Sequence, residues 1–369
     1  MRKRIVVLFG GRSAEHEISV ISARSVIDAL DPERFDAIPI GVTKQGRWQL
    51  MAAGPPALSA GTGSALPRIT ESSGSEVVLD QEPGSQALVG RDGSRTEIDV
   101  VFPVMHGPFG EDGSIQGFLE MAGIPYVGSG VLGSAIQMDK EVSKRLLVAA
   151  GLPVLPYVCV RKAELARDPR ACADRVLRAL SLPVFVKPAN LGSSVGIHKV
   201  KTAKELLPAL EDAARYDPKI VVEQGIAARD VEIALLGDDP VEASVPGEIR
   251  THREWYDYEA KYVDEATELL VPAPISEALA QELRETAIAA YRALEGRGFA
   301  RVDFLVDRDS LAYYVNELNS LPGFTDVSMY PRMWEASGLP YPALLDRLIE
   351  LAIESHRERS RLETQYRKP

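Results

Sequence analysis

Three oxygen-bearing side chains near the end of the chain, Asp303, Glu317 and Asn319, have the spacing of a cation site. Apolar runs at 302–306 and 311–315 flank the turn cluster Asp307-Arg308-Asp309-Ser310, the pattern of a β-hairpin. A register centred near residue 310 sets Asp303 opposite Glu317, and strand alternation puts Asn319 on the same side as Glu317. Two carboxylates facing across a ladder repel each other. A hard cation between them removes the conflict, and Mg²⁺ held by so few oxygens keeps positions for waters and nucleotide phosphates. Taken alone, a solvated hairpin face accounts for the same spacing.

Other chemistry-bearing residues sit at strand ends. A strand signal at 184–186 runs into Lys187 and then Pro-Ala-Asn-Leu-Gly-Ser-Ser-Val-Gly at 188–196. Small residues there, Ser193 and Ser194 among them, can turn backbone N–H groups toward phosphate oxygens. Lys187 precedes the glycines, so this is not a Walker A loop; a flexible turn is the alternative. His106 lies in the glycine-rich stretch 105–113 after a strand at 98–104, the place of a functional loop, although a lone histidine is as readily structural. Glu15 opens a helix, where a carboxylate complements the dipole by about 0.3–1 kcal/mol. It could also face a ligand at the carboxyl edge of the sheet, although spacing alone favours the helix-start role. Glu223 ends a strand at 220–223, and the connector after it could offer backbone edges to a nucleobase. Asp230 and Glu232 share one face of an alternating strand at 230–235 and by themselves read as a solvated edge. Residues 255–262 pack aromatics and charges with no helical or strand period, which suggests a lid or binding loop, or else a surface plug.

The elements that position these residues read as α/β. An apolar strand at 5–9, a helix with Ile18, Ile21, Val26 and Leu30, and strands at 37–42 and 98–104 suggest a doubly wound, Rossmann-like first domain. Its glycines do not fit G-x-G-x-x-G. A Gly/Ser/Ala/Pro-rich stretch at 52–75 reads as a mobile insertion. Further expectations are a helix at 114–122, a short strand at 126–127, a helix from 139–140 to before 151, and a strand at 154–160. Helices from Met333 and from Pro342 to about Arg361 finish the chain, with a fraying tail. The length of 369 residues suggests two or three domains. A net charge of −11 argues against nucleic acid or an anionic membrane as partner. Two cysteines, Cys159 and Cys172, fit a reducing cytosol. The apolar run after Arg2-Lys3-Arg4 is shorter than the roughly 7–15 residues of a signal-peptide core. No run reaches the ~18 residues of a membrane span. A cytoplasmic protein is expected.

Motifs spread along the whole chain carry a family likeness. G-G-x-S-A-E-x-E-I-S at 10–19, H-G-P-F-G-E-D-G at 106–113 and K-P-A-N-L-G-S-S-V-G at 187–196 are three of them. Y-D-Y-E-A-K-Y at 256–262, R-V-D-F at 301–304 and N-E-L-N-S-L-P-G at 316–323 complete the set. Together they resemble the D-alanine–D-alanine ligases of the ATP-grasp superfamily. The resemblance implies three domains: an N-terminal substrate-binding domain at 1–139, a central ATP-grasp domain at 140–230, and a C-terminal one at 231–369 with the metal site and lid loop. It implies ATP and two Mg²⁺ (or Mn²⁺) as cofactors, D-alanine as substrate, and a cytoplasmic homodimer serving peptidoglycan precursor synthesis. Family enzymes phosphorylate the carboxylate of one D-alanine, and the amine of a second attacks the acyl phosphate. Asp303, Glu317 and Asn319 match the metal ligands, and Lys140 and Lys187 the phosphate-gripping lysines. Glu223 matches the adenine hinge, Asp230 takes the place of a ribose-binding glutamate, and Ser194 and Lys261 fall among nucleotide contacts. Glu15 matches the residue that holds the first ammonium, and His106 lies near the same substrate. Arg301 and the Gly323 N–H match oxyanion donors, and Ser328 with the Met329 backbone a carboxylate clamp. Ser193 and Tyr262 match a network with Glu15 that closes the lid, and Tyr262 favours a dipeptide over a D-alanine–D-lactate product. A related ligase for another second substrate, or a non-catalytic ATP-binding sensor, are the competing readings.

Overall fold

The apolar run at 5–9 forms the middle of β1 (Lys3–Gly10), with all five side chains fully buried. A strand buried on both faces belongs in a parallel sheet. β1 pairs in parallel with β2 (Phe35–Val42) and, on its other side, with β7 (Val100–Pro103), while α1 (His16–Ala29) connects β1 to β2. The computed structural model describes residues 2–51, 54, 68–70, 72–80, 82, 85–192, 195–251, 267–325 and 327–363. Most of the expected insertion at 52–75, and the 255–262 loop, lie outside the described residues. Beyond β2 the sheet continues through four antiparallel strands that the sequence pattern does not announce. These are β3 (Trp48–Leu50), β4 (Ser75–Leu79), β5 (Ala87–Gly90) and β6 (Arg95–Glu97). Strands of three to five residues, one of them Arg-Thr-Glu, are too short to show an apolar period. The expected short strand at 126–127 is a single bridge from Tyr126 to Val101.

Helices α2 (Ser114–Met121), α3 (Val131–Met138) and α4 (Lys140–Ala149) lead to the second sheet. Asp139 caps α4, its side chain accepting the N–H groups of Glu141 and Val142 at 3.1 and 3.0 Å. The buried face of α4 carries Lys140 and Lys144, four residues apart and therefore neighbours on the helix. The second sheet is antiparallel, in the order β10-β9-β11-β8. Its strands are β8 (Tyr157–Arg161), β9 (Val184–Pro188), β10 (His198–Val200) and β11 (Lys219–Gln224). α5 (Lys162–Arg167), α6 (Pro169–Ala179) and α7 (Ala203–Tyr216) join it, and Val176, Leu206 and Leu210 pack with Val160, Val184 and Val186 of the sheet.

The third sheet runs β15-β14-β12-β16-β17, with β13 (Glu242–Ala243) beside the end of β12 (Ala228–Leu236). The remaining strands are β14 (Gly247–Arg250), β15 (Glu268–Leu270), β16 (Phe299–Asp307) and β17 (Tyr313–Asn319). Alternation along β16 turns Val302, Phe304 and Val306 into a core with Leu283 and Ala287 of α8 (Glu277–Ala293). Each such large apolar side chain contributes about 1.5–3 kcal/mol by burial. The opposite face presents Arg301, Asp303 and Leu305 to a cavity. The register pairs Asp303 with Glu317 and Arg301 with Asn319, as the spacing predicts, and then shifts after Asp303 so that Asn316 is passed over. Asp307 ends the strand by accepting the N–H groups of Asp309 and Ser310, at 3.2 and 2.9 Å, on one carboxylate oxygen. Leu311 adopts φ 59°, so β17 starts two residues later than the apolar run implies.

α9 (Met329–Ala336) begins four residues before the expected Met333, with Pro331 in its first turn, where a proline is tolerated. α10 (Tyr341–Ser360) crosses back to the first sheet. Leu344 and Leu348 share one apolar core with Ile5, Phe9 and Phe102 of that sheet and with Phe299, Phe324 and Tyr330. This shared core fixes the loops of the first sheet against the end of the β16–β17 hairpin.

Candidate active site

A cavity of about 510 Å³ lies between the second and third sheets, with Phe185 and Lys187 on one wall and Asp230, Arg301 and Asp303 on the other. Lys140, Glu223 and Glu317 also line it. Seven of the side chains singled out from the sequence therefore meet in one place. Asn319, two residues beyond Glu317, lines a smaller cavity of about 60 Å³ together with Lys140, Gly192 and Glu317.

The facing carboxylates are screened by cations. Arg301 grips Asp303 with two parallel bonds, Nε to Oδ1 and Nη2 to Oδ2, each 2.7 Å. Asn319 Nδ2 donates to Asp303 Oδ2 at 2.9 Å. Glu317 Oε2 lies 3.2 Å from Lys140 Nζ, which also donates to the Leu191 carbonyl at 2.9 Å. Two carboxylates and an amide on one face form the partial oxygen set that suits a hard cation. Among the described residues no group of three His, Cys, Asp or Glu side chains is gathered as a complete cage. The residues present thus fit a metal that shares its shell with phosphates and water.

Glu232 corrects the reading of a solvated edge. β12 is an interior strand between β14 and β16, Glu232 is only 3 % exposed, and its Oε2 lies 3.1 Å from Arg301 Nε. It shares the guanidinium with Asp303, its partner across the ladder. Asp230 faces the same cavity. At the far end, Glu223 is 2 % exposed and bridges two lysines, 2.8 Å from Lys187 and 3.2 Å from Lys144. Burial alone would raise the Glu223 carboxyl, but Lys144 and Lys187 pull it down to about 2. Burial likewise works against the Lys187 ammonium, yet Glu223 and Glu317 outweigh it and hold its pKa above the ordinary value. The connector after Glu223 is pinned by Gln224, whose side chain accepts from the Ser181 N–H at 2.9 Å and donates to the Ser181 carbonyl at 2.7 Å.

A second group forms where the first sheet meets the hairpin. Glu15, at the N-cap position of α1, is 8 % exposed. A Cβ on Gly107 would fall 2.7 Å from its Oε2, and one on Gly192 would fall 2.9 Å away, so two loops close on this carboxylate where only glycine fits. His106 is buried, with Nδ1 3.2 Å from the Leu321 carbonyl and Nε2 3.2 Å from Ser22 Oγ. Donation from Nδ1 to the carbonyl leaves Nε2 to accept the hydroxyl. Burial lowers the His106 pKa, keeping the ring neutral. Gly323 packs against Ser328, and the Ser328 hydroxyl is oriented by Thr325 Oγ1 at 2.7 Å. The Met329 side chain is in the core. Ser193, Ser194, Lys261 and Tyr262 lie outside the described residues.

Comparison with known proteins follows the same division. The D-ala D-ala ligase N-terminus family matches residues 4–129, and the D-ala D-ala ligase C-terminus family matches residues 146–350. The chain belongs to the D-alanine–D-alanine ligase family. A D-alanine–D-alanine ligase A of Bradyrhizobium diazoefficiens is 48 % identical over 375 residues, covering 98 % of each chain. The D-alanine–D-alanine ligase structure from Coxiella burnetii superposes with a TM-score of 0.84 at 37 % identity, covering 97 % of this chain and 96 % of that one. The VanG D-Ala:D-Ser ligase from Enterococcus faecalis superposes at 0.82 with 35 % identity, covering 95 % and 100 %. The three sheets are those of the family's ATP-grasp fold.

Sequence reasoning missed Lys144, Glu232 as a functional neighbour, and Glu111. Lys144 stands four residues after Lys140, a spacing that shares a helix face. Glu232 stands two after Asp230, a spacing that shares a strand face. Glu111 stands among glycines in the 105–113 loop, and it is half-buried at the junction of the two groups. Burial and the nearby Glu15 carboxylate push it up to about 8.

Proposed function

We propose that this chain joins two D-alanines into D-alanyl-D-alanine, using ATP and releasing ADP and phosphate through a D-alanyl phosphate. The observation that carries the reading is the pairing of Asp303 with Glu317 at the mouth of a lysine-lined cavity, in a chain of this ligase family. Phosphoryl transfer asks a protein mainly for positioning and charge neutralisation. Lys140 and Lys187 would grip phosphates, with Glu223 fixing Lys187 and the pinned connector at 224–227 as the edge for the nucleobase. Asp303, Glu317 and Asn319 would hold two Mg²⁺ or Mn²⁺, which supply neutralising charge to the phosphates. Glu15 receives the ammonium of the first D-alanine, with His106 behind it. Arg301, held by Asp303 and Glu232, and the Gly323 N–H stabilise the oxyanion, where such donors are worth about 3–4 kcal/mol each. Ser328 and the Met329 backbone take the second carboxylate, and Ser193, Ser194, Lys261 and Tyr262 close the site and favour an amine as the second nucleophile. Domains divided near residues 139 and 230, and a cytoplasmic homodimer, complete the reading. The two cysteines are unpaired, and among the described residues no helix is long and apolar enough to cross a membrane.

ADP release measured at neutral pH with D-alanine alone, and with added D-lactate or D-serine, tests the assignment. D-Alanine alone should support turnover and yield the dipeptide. Preference for D-lactate or D-serine would replace the dipeptide reading, and ADP release independent of any D-amino acid would remove the ligase reading.

A further inference from the structure

The two groups of the site meet at one peptide unit. Leu321 lies between Asn319, at the end of the carboxylate face, and Gly323. Its backbone faces the loop that follows β7. Its carbonyl accepts from His106 Nδ1 at 3.2 Å, and its N–H lies near the Glu111 carboxyl. The same carboxyl accepts the Gly107 N–H at 2.5 Å, and Gly107 is the residue pressed against Glu15 Oε2. Glu111 therefore holds the wall of the Glu15 crevice through the Gly107 N–H, and the neighbouring His106 ties that wall to the segment that carries Gly323.

From this arrangement we propose that Glu111 is a positioning residue that sets the distance between the first-substrate crevice at Glu15 and the Gly323 N–H. The inference rests on the ligase reading above, which gives those two points their partners. Gly323 is anchored on its other side by Phe324, whose ring packs 5.7 Å from Phe102 and 5.4 Å from Phe299. With Phe324 fixed in the core and Asn319 fixed on Asp303, Leu321 is the remaining joint of the segment. A shift of about 1 Å in such a contact is enough to slow a reaction by ~10²-fold. The groups that face Glu111 are Glu15, Gly107 and Lys140, with the Leu321 backbone opposite. With its carboxyl pushed up to about 8 by burial and Glu15, Glu111 accepts the Gly107 N–H while lessening the negative charge beside Glu15.

Steady-state kinetics of Glu111→Ala and Glu111→Gln test the proposal, together with hydrogen exchange at Gly107 and Leu321. Glu111→Ala should lower kcat by roughly 10²-fold while the KM for ATP stays within about twofold, because the ATP cavity is untouched. Glu111→Gln is neutral and keeps an acceptor oxygen, so it should recover at least tenfold of that loss, ~1.4 kcal/mol in barrier. In the alanine variant the Leu321 and Gly107 amides should exchange faster, a readout that stands even if the wild-type chain proves not to be a ligase. Retention of kcat within threefold in the alanine variant, a parallel rise in the ATP KM, or unchanged exchange at both amides overturns the proposal. If the alanine variant does not fold, the glutamine variant decides: loss of more than tenfold in its kcat contradicts rescue by a neutral acceptor.

Discussion

The half-buried hairpin face and the buried Glu15 crevice are both acidic, yet they are held in opposite ways. Asp303 and Glu317 are set by ladder hydrogen bonds between adjacent strands, and their charges are matched within the same structure by Arg301 and Lys140. Glu15 is held by loops that approach from residues 107 and 192, with glycine at both contacts. The first region draws precision from regular pairing, the second from packing that tolerates no added atom. A local change in the hairpin should therefore act through charge, and one in the crevice through space.

Glu317→Ala separates these modes most strongly. It removes one of two facing carboxylates and leaves the buried Lys140 ammonium without that partner. Turnover should fall by at least about 10³-fold, the several kcal/mol that neutralising a transferring phosphoryl group provides. Full activity at saturating Mg²⁺ would contradict the assignment of this face. Gly107→Ala tests the crevice instead. The new Cβ would meet Glu15 Oε2 at 2.7 Å, on a backbone at φ 76° that a side chain resists. A loss of about 10–100-fold in kcat/KM for D-alanine is expected, from displacement of Glu15 by a fraction of an ångström or more. Unchanged kinetics in the alanine variant would show that the crevice is looser than its contacts indicate.

The same contrast explains what could be read from the sequence. The hairpin was legible because its information is local. Two apolar runs and a turn cluster give the register, and the register gives the pairing of Asp303 with Glu317. A continuous apolar run also placed β1, and Asp139-Lys140 marked the start of α4. The crevice was not legible in this way, since Glu15, Gly107 and Gly192 come from three distant loops and no spacing relates them. Only the family resemblance joined Glu15 to the site. The burial of Glu232 was missed because it depends on β14 arriving on the far side of β12, a long-range pairing. Lys144 shows the limit from another side: its helix face was readable, but the bridge through Glu223 to Lys187 requires α4 to bring Lys144 within reach of β11.

The division of labour between the two regions is the central claim, and Glu15→Gln tests it most directly. The substitution keeps the shape of the side chain and removes the charge that would face the first ammonium. Steady-state kinetics with D-alanine and ATP varied separately should show the KM for the first D-alanine raised about 10–100-fold, the 1.5–3 kcal/mol of a hydrogen bond to a charged group, with the ATP KM within about twofold. A raised ATP KM with the D-alanine KM unchanged would contradict the account, because the crevice would then serve the nucleotide.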